Sequence, residues 1–297
     1  MGPHILINDK FSAHAENLRE HFDKRFLDSS SLSGNRFVWD YWHVRDQYTL
    51  IRTPAYHYFP KSLYLKFHHE LVHWGRKTLG CWDISPPWLS YYVDGCKQEL
   101  HSDVPHGPWA YVFSLTDWNR REFTGGETFI LKPQVLSYWR NFADQKDREL
   151  NSFVDRIPAK MNRLIVFDPR YPHGVSEVRG IRDPRKARIV IHGWFMQPKT
   201  YVEGHLPAKN CEKTLNQAFH ILQNEMSQFP ICKGTVSIQM EVGSNRKVTQ
   251  IRFATNTLQD SEGKPPRALN KRILQIYSSL EFAKSRASTF LTVPLVF

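Results

Sequence analysis

The sequence predicts a mainly β fold, a jelly roll (double-stranded β-helix) with flanking N-terminal helices, followed by a small α+β domain. From about residue 88 to 196 the chain consists of short runs of β-branched and aromatic residues, separated by loops rich in Pro, Gly, Asn and Asp. This spacing is typical of all-β sandwiches and barrels and differs from alternating βαβ units. Before these runs, apolar residues recur with the period of a helix.

The helices and strands of the first 198 residues are predicted segment by segment. Residues 11–28 and about 61–79 have helical apolar spacing, and Gly80 ends the second segment because glycine interrupts helices. The strand-like runs that follow are WLSYYV (88–93), AYVFSL (110–115), ETFIL (127–131), RLIVFD (163–168) and ARIVIHGWF (187–195). Helices ahead of a series of short strands indicate a jelly roll flanked by helices.

After Pro198 the pattern changes, so we expect residues 1–198 to form one domain, 199–211 a linker and 212–297 a small α+β module. The module is predicted to contain a helix, two strands, a second helix and a final strand. Their positions are 212–228, the runs on either side of Gly243-Ser244-Asn245, 267–283 and 289–297. A short polar segment with Gly between two alternating runs is a hairpin signal.

Composition indicates a folded, globular protein. The 297 residues carry a formal net charge of +11 and 13% of them are aromatic, which argues against disorder. The positive charge is spread along the chain, which argues against a nucleic-acid-binding function. Without a secretory signal pattern or an apolar run of membrane-spanning length, the expected location is the cytoplasm. The cysteines lack CxxC spacing and fit free thiols in a reducing compartment: Cys81, Cys96, Cys211 and Cys232.

His101 and Asp103 form an HxD pair, and His173 follows further along the chain. On an extended strand, residues two apart point to the same face, so the pair can bind one ion. Two imidazoles and one carboxylate on one face of a metal leave positions open for a co-substrate and O2, as in non-heme Fe(II) sites. The HxD pattern alone has little specificity, since His21-Phe22-Asp23 also matches it, although within a helical segment.

Four segments after the HxD pair carry a family resemblance. They are FTGGETF (123–129), RLIVFD (163–168), YPHGVSEV (171–178) and RIVIHGWF (188–195). In this order they resemble the prolyl-4-hydroxylase-like branch of the Fe(II)- and 2-oxoglutarate-dependent oxygenases, with Asn162 where the family often has Gly. The resemblance covers about residues 88–196.

The resemblance implies that His101, Asp103 and His173 bind Fe(II) and form the catalytic centre. The implied reaction hydroxylates a C–H bond of a peptidyl (prolyl-type) or small-molecule substrate and releases succinate and CO2. Fe(II), 2-oxoglutarate and O2 are the implied cofactor and co-substrates, and ascorbate is a candidate addition. Fold and iron site do not determine the substrate.

The resemblance also assigns residues to the co-substrate. Arg188 is the candidate for the far carboxylate of 2-oxoglutarate, because a planar guanidinium binds a carboxylate through two parallel hydrogen bonds. Arg182 is its rival, since the loop 179–187 is longer than is usual in the family. Tyr92 is a further candidate to hydrogen-bond the co-substrate, and Ser114 is a weaker one.

Two histidines near the predicted site are candidates for substrate binding. His106 follows the HxD strand, and His192 shares the strand parity of Arg188. For either residue, an ordinary hydrogen-bonded histidine is the simpler interpretation. The aromatic-rich segment 39–48 (WDYWHVRDQY) could form a lid over the substrate, and packing support for the sheet is the simpler interpretation.

A competing motif predicts a different enzyme. His69-Glu70-Leu71-Val72-His73 is an HExxH sequence on a predicted helix, which would place two zinc ligands on one face with Glu70 as the base of a metallopeptidase. Its extended HExxHxxGxxH form fails, and no third ligand is evident downstream. A polar helix face is the simpler interpretation. The third alternative is a non-catalytic binding protein with the same fold.

The C-terminal segment has no catalytic cluster. Its order of elements and its final strand (TFLTVPLVF) resemble the TonB-like C-terminal domain. The resemblance implies that this module binds a protein partner or peptide by pairing with an edge strand. Dimerisation, or packing on the rest of the chain, are the other roles open to it.

Overall fold

The computed structural model describes residues 4–27, 39–104, 106–133, 135 and 153–297. The end of the first predicted helix, residue 28, therefore lies outside the described residues. The chain divides into two compact units, of which the first comprises Met1–Leu71 and Ile84–Met196 and the second comprises Val72–Asp83 and Gln197–Phe297.

The described helices and strands up to residue 198 follow the predicted order, with additional strands at the N-terminus. The helices are α1 (Ala15–Leu27), α2 (Ala55–Tyr58) and α3 (Lys61–Leu79). The strands are β1 (Ile5–Asp9), β2 (Asp40–Val44), β3 (Tyr48–Pro54), β4 (Cys81–Ile84), β5 (Trp88–Tyr92), β6 (Lys97–His101), β7 (Trp109–Ser114), β8 (Thr128–Leu131), β9 (Val154–Ile157), β10 (Arg163–Phe167), β11 (His173–Val175) and β12 (Arg188–Pro198).

The strands of the first unit form a large curled antiparallel sheet, which confirms the predicted mainly β, jelly-roll fold. Ten of the strands follow the order β1-β10-β7-β12-β5-β3-β6-β11-β8-β9, and β2 pairs with β3. The order contains two four-stranded groups, β10-β7-β12-β5 and β6-β11-β8-β9, which is the arrangement of a double-stranded β-helix. Strand β3 joins the two groups because it pairs with both β5 and β6.

The two faces of the first group have different partners, because successive side chains on a strand point to opposite faces. On β7, Phe113 is fully buried and its ring lies 4.7 Å from that of Phe67 on α3. Its neighbour Val112 lines a cavity on the other face. Helix α1 buries Leu18 and Phe22, one turn apart, so it also presents an apolar stripe. The helices thus cover one face of the sheet and leave the other for a site.

The second unit is an α+β module with its own core. Its elements after residue 198 are β13 (Tyr201–Gly204), α4 (Ala208–Glu225), β14 (Cys232–Lys233), β15 (Thr235–Val242), β16 (Val248–Asn256), β17 (Gln259–Asp260), α5 (Arg267–Ser278) and β18 (Thr289–Val296). Four strands form an antiparallel sheet in the order β13-β18-β15-β16. The buried faces of the helices and this sheet share one apolar cluster that includes Leu222, Ile273 and Ile238.

The segment predicted to be a linker contains regular secondary structure. Residues 199–211, expected to be a linker, contain strand β13 and the start of helix α4, which begins at Ala208 rather than at 212. The strand was missed because Glu203 and Gly204 interrupt its alternation, and it is held by pairing with β18, far away in sequence.

All four cysteines are free and buried. Within the described ranges, no helix combines the length and the apolar character needed to cross a membrane.

Candidate metal centre and its cavity

Three side chains that the sequence singled out meet at one end of the small strand group. His101 is the last residue of β6, Asp103 follows two residues later, and His173 opens β11 directly opposite His101 in the antiparallel pair. The two imidazole rings lie 4.5 Å apart between centroids. One ligand atom from each of the three residues lies within 4.8 Å of the others, and this is the one such group of three or more among the described residues.

Backbone carbonyls fix the orientation of both imidazole rings. His101 Nδ1 lies 2.8 Å from the carbonyl oxygen of Glu99, and His173 Nδ1 lies 2.9 Å from that of Tyr171. A carbonyl oxygen only accepts, so each Nδ1 carries the proton and donates it. Each Nε2 is then the unprotonated nitrogen, and these atoms lie 3.8 Å (His101) and 3.4 Å (His173) from the carboxylate of Asp103. The free lone pairs therefore converge on one point, as a metal requires.

The protonation states of this cluster suit metal binding. Burial, followed by the nearby His173, lowers the pKa of His101, which keeps the ring neutral at physiological pH. Burial opposes the ionisation of Asp103, but the surrounding histidines His173, His101 and His106 outweigh this effect, so the pKa of the carboxyl group lies below its usual value. Neutral imidazoles and an ionised carboxylate are the forms that coordinate a cation.

The donor set fits one kind of metal better than others. Two imidazole nitrogens and one carboxylate oxygen on one side are the donors that hold non-heme Fe(II) with open coordination positions. A structural zinc site would use four protein ligands in a closed tetrahedron. With three converging ligands on one wall of an open cavity, this centre fits Fe(II) with room for a co-substrate.

The cavity beside the cluster has a volume of about 380 Å³. This value lies toward the small end of the range of about 300–1,000 Å³ for ligand pockets. Its walls include residues of β3, β5, β7, β10 and β12, among them the apolar side chains of Leu50, Val112, Phe167 and Val190. Charged and polar side chains, among them Gln98, Thr128 and Arg188, line the cavity as well, so it is of mixed polarity.

Arg188 lies inside this cavity with unsatisfied donors. Arg188 is the first residue of β12 and is 1% exposed. Its guanidinium carbon lies 4.5 Å from the ring centroid of Tyr92 on β5. Nη2 donates to Thr128 Oγ1 at 3.1 Å, whereas Nε and Nη1 have no hydrogen-bond partner. Burial lowers the pKa of this guanidinium. A buried cation with unpaired N–H groups is costly, so an anion bound there would be strongly stabilised.

Backbone conformation and close packing explain why residues 125 and 126 are both glycine. Both residues have positive φ angles, +76° and +79°. A Cβ on Gly125 would lie 1.8 Å from the carbonyl oxygen of Glu177, and one on Gly126 would lie 3.3 Å from Cδ of Arg188. The Gly126 N–H donates to the carbonyl of Ser176 at 3.0 Å. The glycines therefore let this segment lie directly on the chain that follows His173.

Replacing Gly125 with alanine should destabilise the protein strongly. The positive φ costs about 1–2 kcal/mol, and displacement of the Glu177 backbone adds about 1–3 kcal/mol. Gly95 is a matched control, since its φ is +82° but a Cβ there would meet nothing within 4 Å. Chemical denaturation should show a clearly larger loss of unfolding free energy for Gly125→Ala than for Gly95→Ala. Equal losses would contradict the close approach to Glu177.

The structure separates the remaining co-substrate candidates. Tyr92 is 1% exposed, lines the cavity and stacks with Arg188. Arg182 is exposed on the loop before β12. Ser114 is fully buried, and its hydroxyl donates to the carbonyl of Ala159 at 2.7 Å. Because Ser114 does not line the cavity, its predicted contact with the co-substrate is not supported. Ser114 has the same strand parity as Val112, but its hydroxyl is already engaged by the Ala159 carbonyl.

Both candidate substrate-binding histidines line the cavity. His106 is exposed at the rim, with its ring 4.4 Å from that of Trp194. His192 lies deeper, and its Nε2 is 2.8 Å from Ser90 Oγ. Burial, followed by the charges of Arg188 and Arg52, lowers the pKa of His192 to about 3. His192 is therefore a neutral hydrogen-bonding group of the cavity at physiological pH.

Sequence reasoning missed several cavity residues. Arg52 on β3, Trp42 on β2, Trp88 on β5 and Thr128 on β8 all line the cavity. No motif marks Arg52 or Trp88, and Trp42 was included only as part of the aromatic-rich segment 39–48. Pairing of β3 with β2 and with the more distant β5 brings the three together. Thr128 belongs to the GGET segment, and its contact with Arg188 could have been sought there. Within the segment 39–48, strand β2 is mostly exposed and its Trp42 lines the cavity, so this part of the segment forms a wall of the cavity.

The HExxH motif lies on α3 without a metal-binding arrangement. His69 and His73 are exposed, and no third ligand joins them among the described residues. Glu70 accepts a hydrogen bond of 2.5 Å from Ser12 Oγ and lies 3.7 Å from Nε2 of His14. This carboxylate therefore ties α3 to the segment before α1. The geometry gives no support to the zinc-peptidase alternative.

Comparison with known proteins was made for sequence and for structure. No protein-family model and no curated protein sequence matches the chain. Among solved structures, the chain is similar to a prolyl hydroxylase from Trichoplax adhaerens in complex with a hypoxia inducible factor peptide fragment. That similarity has 14% identity and a TM-score of 0.39, over 65% of this chain and 84% of the other.

Two further solved structures show the same level of similarity. A prolyl-4-hydroxylase from Pseudomonas putida matches with 14% identity and a TM-score of 0.39, over 65% of this chain and 92% of the other. HygX from Streptomyces hygroscopicus, with nickel and 2-oxoglutarate bound, matches with 10% identity and a TM-score of 0.41, over 64% and 81%. None of these solved structures supports the predicted resemblance of the C-terminal module to a TonB-like domain, which stays a prediction. At these low values, any functional assignment depends on the geometry of the site itself.

Proposed function

We propose that the protein is an Fe(II)- and 2-oxoglutarate-dependent oxygenase that hydroxylates a C–H bond. One observation carries the proposal: a single cavity holds both an open-sided His-Asp-His cluster and a buried arginine with unpaired N–H groups. The cluster alone would fit many metal sites, and the arginine alone would fit many anions. Together they match a ligand that has a metal-binding end and a distant carboxylate.

The residues of the centre have distinct roles in this proposal. His101, Asp103 and His173 would hold Fe(II), and Arg188, with Thr128 beside it, would bind the far carboxylate of 2-oxoglutarate. When bound, iron and 2-oxoglutarate supply the oxidising chemistry, in which O2 is consumed, succinate and CO2 are released and a substrate C–H bond becomes C–OH.

The chain's own contribution is to position groups and to limit water. The carbonyl oxygens of Glu99 and Tyr171 hold the two imidazoles in the tautomer that leaves Nε2 free. The stacking of Arg188 on Tyr92 fixes the plane in which its donors point. Apolar side chains on the walls, such as Val190 and Phe167, would displace part of the water once a substrate is bound, which strengthens the electrostatic contacts made there.

The proposal places this activity in the jelly-roll part of the chain, residues 1–198. The substrate is a peptide (prolyl-type) or a small molecule in which one C–H bond is hydroxylated. The prolyl hydroxylase from Trichoplax adhaerens was solved in complex with a peptide fragment. The C-terminal module is proposed to bind a protein partner or to dimerise. Cytoplasmic location and a use of ascorbate remain parts of the same proposal.

Removal and replacement of the metal test the proposed function. We expect the Mn(II)-loaded protein to bind 2-oxoglutarate, measured by calorimetry, and the Fe(II)-loaded protein to convert it to succinate in air. Chelation should abolish both signals, because the co-substrate needs the metal at one end, and added Fe(II), but not Zn(II), should restore turnover. Metal-dependent binding without succinate under any substrate mixture would favour the alternative of a non-catalytic binding protein.

A further inference from the structure

A second arginine in the cavity is held in an unusual way. Arg52 on β3 lies between two indole rings, with its guanidinium carbon 3.7 Å from the ring centroid of Trp42 and 4.0 Å from that of Trp88. Both flat faces of the guanidinium are therefore covered by aromatic rings. Only its edge, where the N–H groups lie, is left for a ligand. All three side chains line the cavity beside the metal centre.

The donors of Arg52 are not used by the protein. Its Nε is buried and has no hydrogen-bond partner, and within the described ranges the guanidinium forms no salt bridge. Asp40 is opposite Arg52 in the β2–β3 pair and its charge acts on the guanidinium, but its side chain is exposed and forms no ion pair with Arg52 within 4.0 Å. Aromatic stacking satisfies the faces of a guanidinium and leaves its hydrogen-bonding capacity unused. The arrangement is thus a rigid, planar set of donors without an acceptor.

Arg52 and Arg188 mark two separate anion positions. Arg188 is paired with Tyr92 and Arg52 with Ser90, two residues apart on β5, and the two arginines lie on the strands on either side of β5. Strand spacing and rise then put their Cα atoms roughly 12 Å apart. Each guanidinium also stacks on different aromatic rings. One carboxylate that binds Arg188 therefore leaves Arg52 for another group.

With iron and 2-oxoglutarate bound, the charged residues of the cavity would leave one positive charge without a counter-charge. Of the described residues that line it, Arg52 and Arg188 carry positive charge, Asp103 carries negative charge, and the histidines are counted as neutral. A divalent ion and dianionic 2-oxoglutarate cancel each other, so one positive charge remains. A partly buried charge that is left without a counter-charge is costly, although less so than a fully buried one. A substrate with a single negative charge would complete the balance.

We propose that Arg52, held edge-on between Trp42 and Trp88, binds a carboxylate of the primary substrate, so that the substrate class is small organic acids such as free or N-acylated amino acids. A carboxylate is planar and accepts two parallel hydrogen bonds, which matches an arginine whose faces are blocked. The inference rests on the proposed oxygenase function and narrows its substrate. It favours a small acid over an uncharged segment of a peptide.

Matched pairs of acids and amides test this inference. The Mn(II)- and 2-oxoglutarate-loaded protein is titrated by calorimetry with L-amino acids and N-acetyl-L-amino acids, each against its primary amide, which has nearly the same shape without the charge. We expect at least one acid to bind about tenfold or more tightly than its amide, the size expected for a charge-assisted hydrogen bond. In Arg52→Gln this preference should disappear, and in Arg52→Lys it should shrink.

The control variant is Arg45→Gln, which removes the same charge from the turn between β2 and β3, where the side chain is 92% exposed. It should keep the acid preference of the wild type. The inference is overturned if no acid binds better than its amide, if Arg52→Gln keeps the preference in a protein with wild-type melting behaviour, or if Arg45→Gln loses it equally. Selective binding of phosphate monoesters instead of carboxylates would also overturn it.

The same titrations distinguish this inference from the proposed function. If the Mn(II)-loaded wild type fails to bind 2-oxoglutarate, the oxygenase proposal fails before any substrate is added. If 2-oxoglutarate binds and acids show no advantage, only the substrate class is wrong. Arg188→Gln should weaken 2-oxoglutarate binding more than Arg52→Gln does. The reverse order would show that Arg52 serves the co-substrate and would overturn its assignment to the substrate.

Discussion

His173→Ala should lose metal binding and reduce the turnover of 2-oxoglutarate at least a hundredfold. His173 is 6% exposed, and its Nε2 is 3.4 Å from the Asp103 carboxylate, at the point where the three ligand atoms converge. Loss of a group that merely orients a metal ligand costs about 10–100-fold. Loss of the ligand itself should exceed this, because two donors would remain. Metal content after dialysis against Fe(II) and succinate formation are the two measurements.

His220→Ala is the control for this variant, since His220 is exposed on α4 and belongs to the second unit. It should keep the metal content and turnover of the wild type. The melting temperature of both variants shows whether the fold survives. A folded His173→Ala protein that retains iron and turnover would remove His173 from the metal centre.

Arg188→Met should raise the concentration of 2-oxoglutarate needed for half-maximal binding by roughly 30-fold or more. Truncating one partner of a buried, hydrogen-bonded charge pair costs about 2–5 kcal/mol, and each 1.4 kcal/mol is a factor of about ten. The same change should not lower the stability of the ligand-free protein. It removes a guanidinium that is 1% exposed and whose Nε and Nη1 have no partners. Methionine retains much of the apolar length that stacks on Tyr92.

Thermal unfolding with and without 2-oxoglutarate measures both effects at once. A ligand at about 100 times its Kd stabilises the folded state by about 2.7 kcal/mol, so the wild type should gain stability that Arg188→Met does not. Arg182→Met is the matched control, because Arg182 is exposed on the preceding loop. If only the Arg182 variant lost the gain, the carboxylate would bind at the loop and the assignment to Arg188 would be wrong.

The sequence could predict those residues of the site that belong to short local patterns. His101 and Asp103 lie two apart near a strand end, and Arg188 heads a run with clear alternation. The structure brings these residues together with His173 around one cavity. Arg52 has no such signal, because its environment is made by Trp42 and Trp88 from neighbouring strands. A pairing between strands that are far apart in sequence cannot be seen from one sequence alone.

The fold shows the same division between local and non-local information. The central strands of the sheet, such as β10 with its five buried residues, are continuous apolar runs and were predicted. Strand β2 was missed because four of its five residues are exposed, and β1 because its pairing with β10 spans most of the domain. The Ser114 candidate was misleading for a related reason. Its hydroxyl bonds to Ala159, a contact that depends on the loop before β10.

The pairing of His173 directly across from His101 limits how the length of this chain can vary. An insertion within β6 or β11 would slip this register and turn the second imidazole to the opposite face of the strand. The connection at residues 168–172 is tied to the site as well, because the carbonyl of Pro169 accepts from the Asp103 N–H and that of Tyr171 accepts from His173 Nδ1. The loop 179–187 comes after β11 and before β12, so extra residues there shift neither His173 nor the Arg188–Tyr92 pair. Insertions and deletions among natural or engineered versions of this protein should therefore concentrate in that loop and spare the connection at residues 168–172.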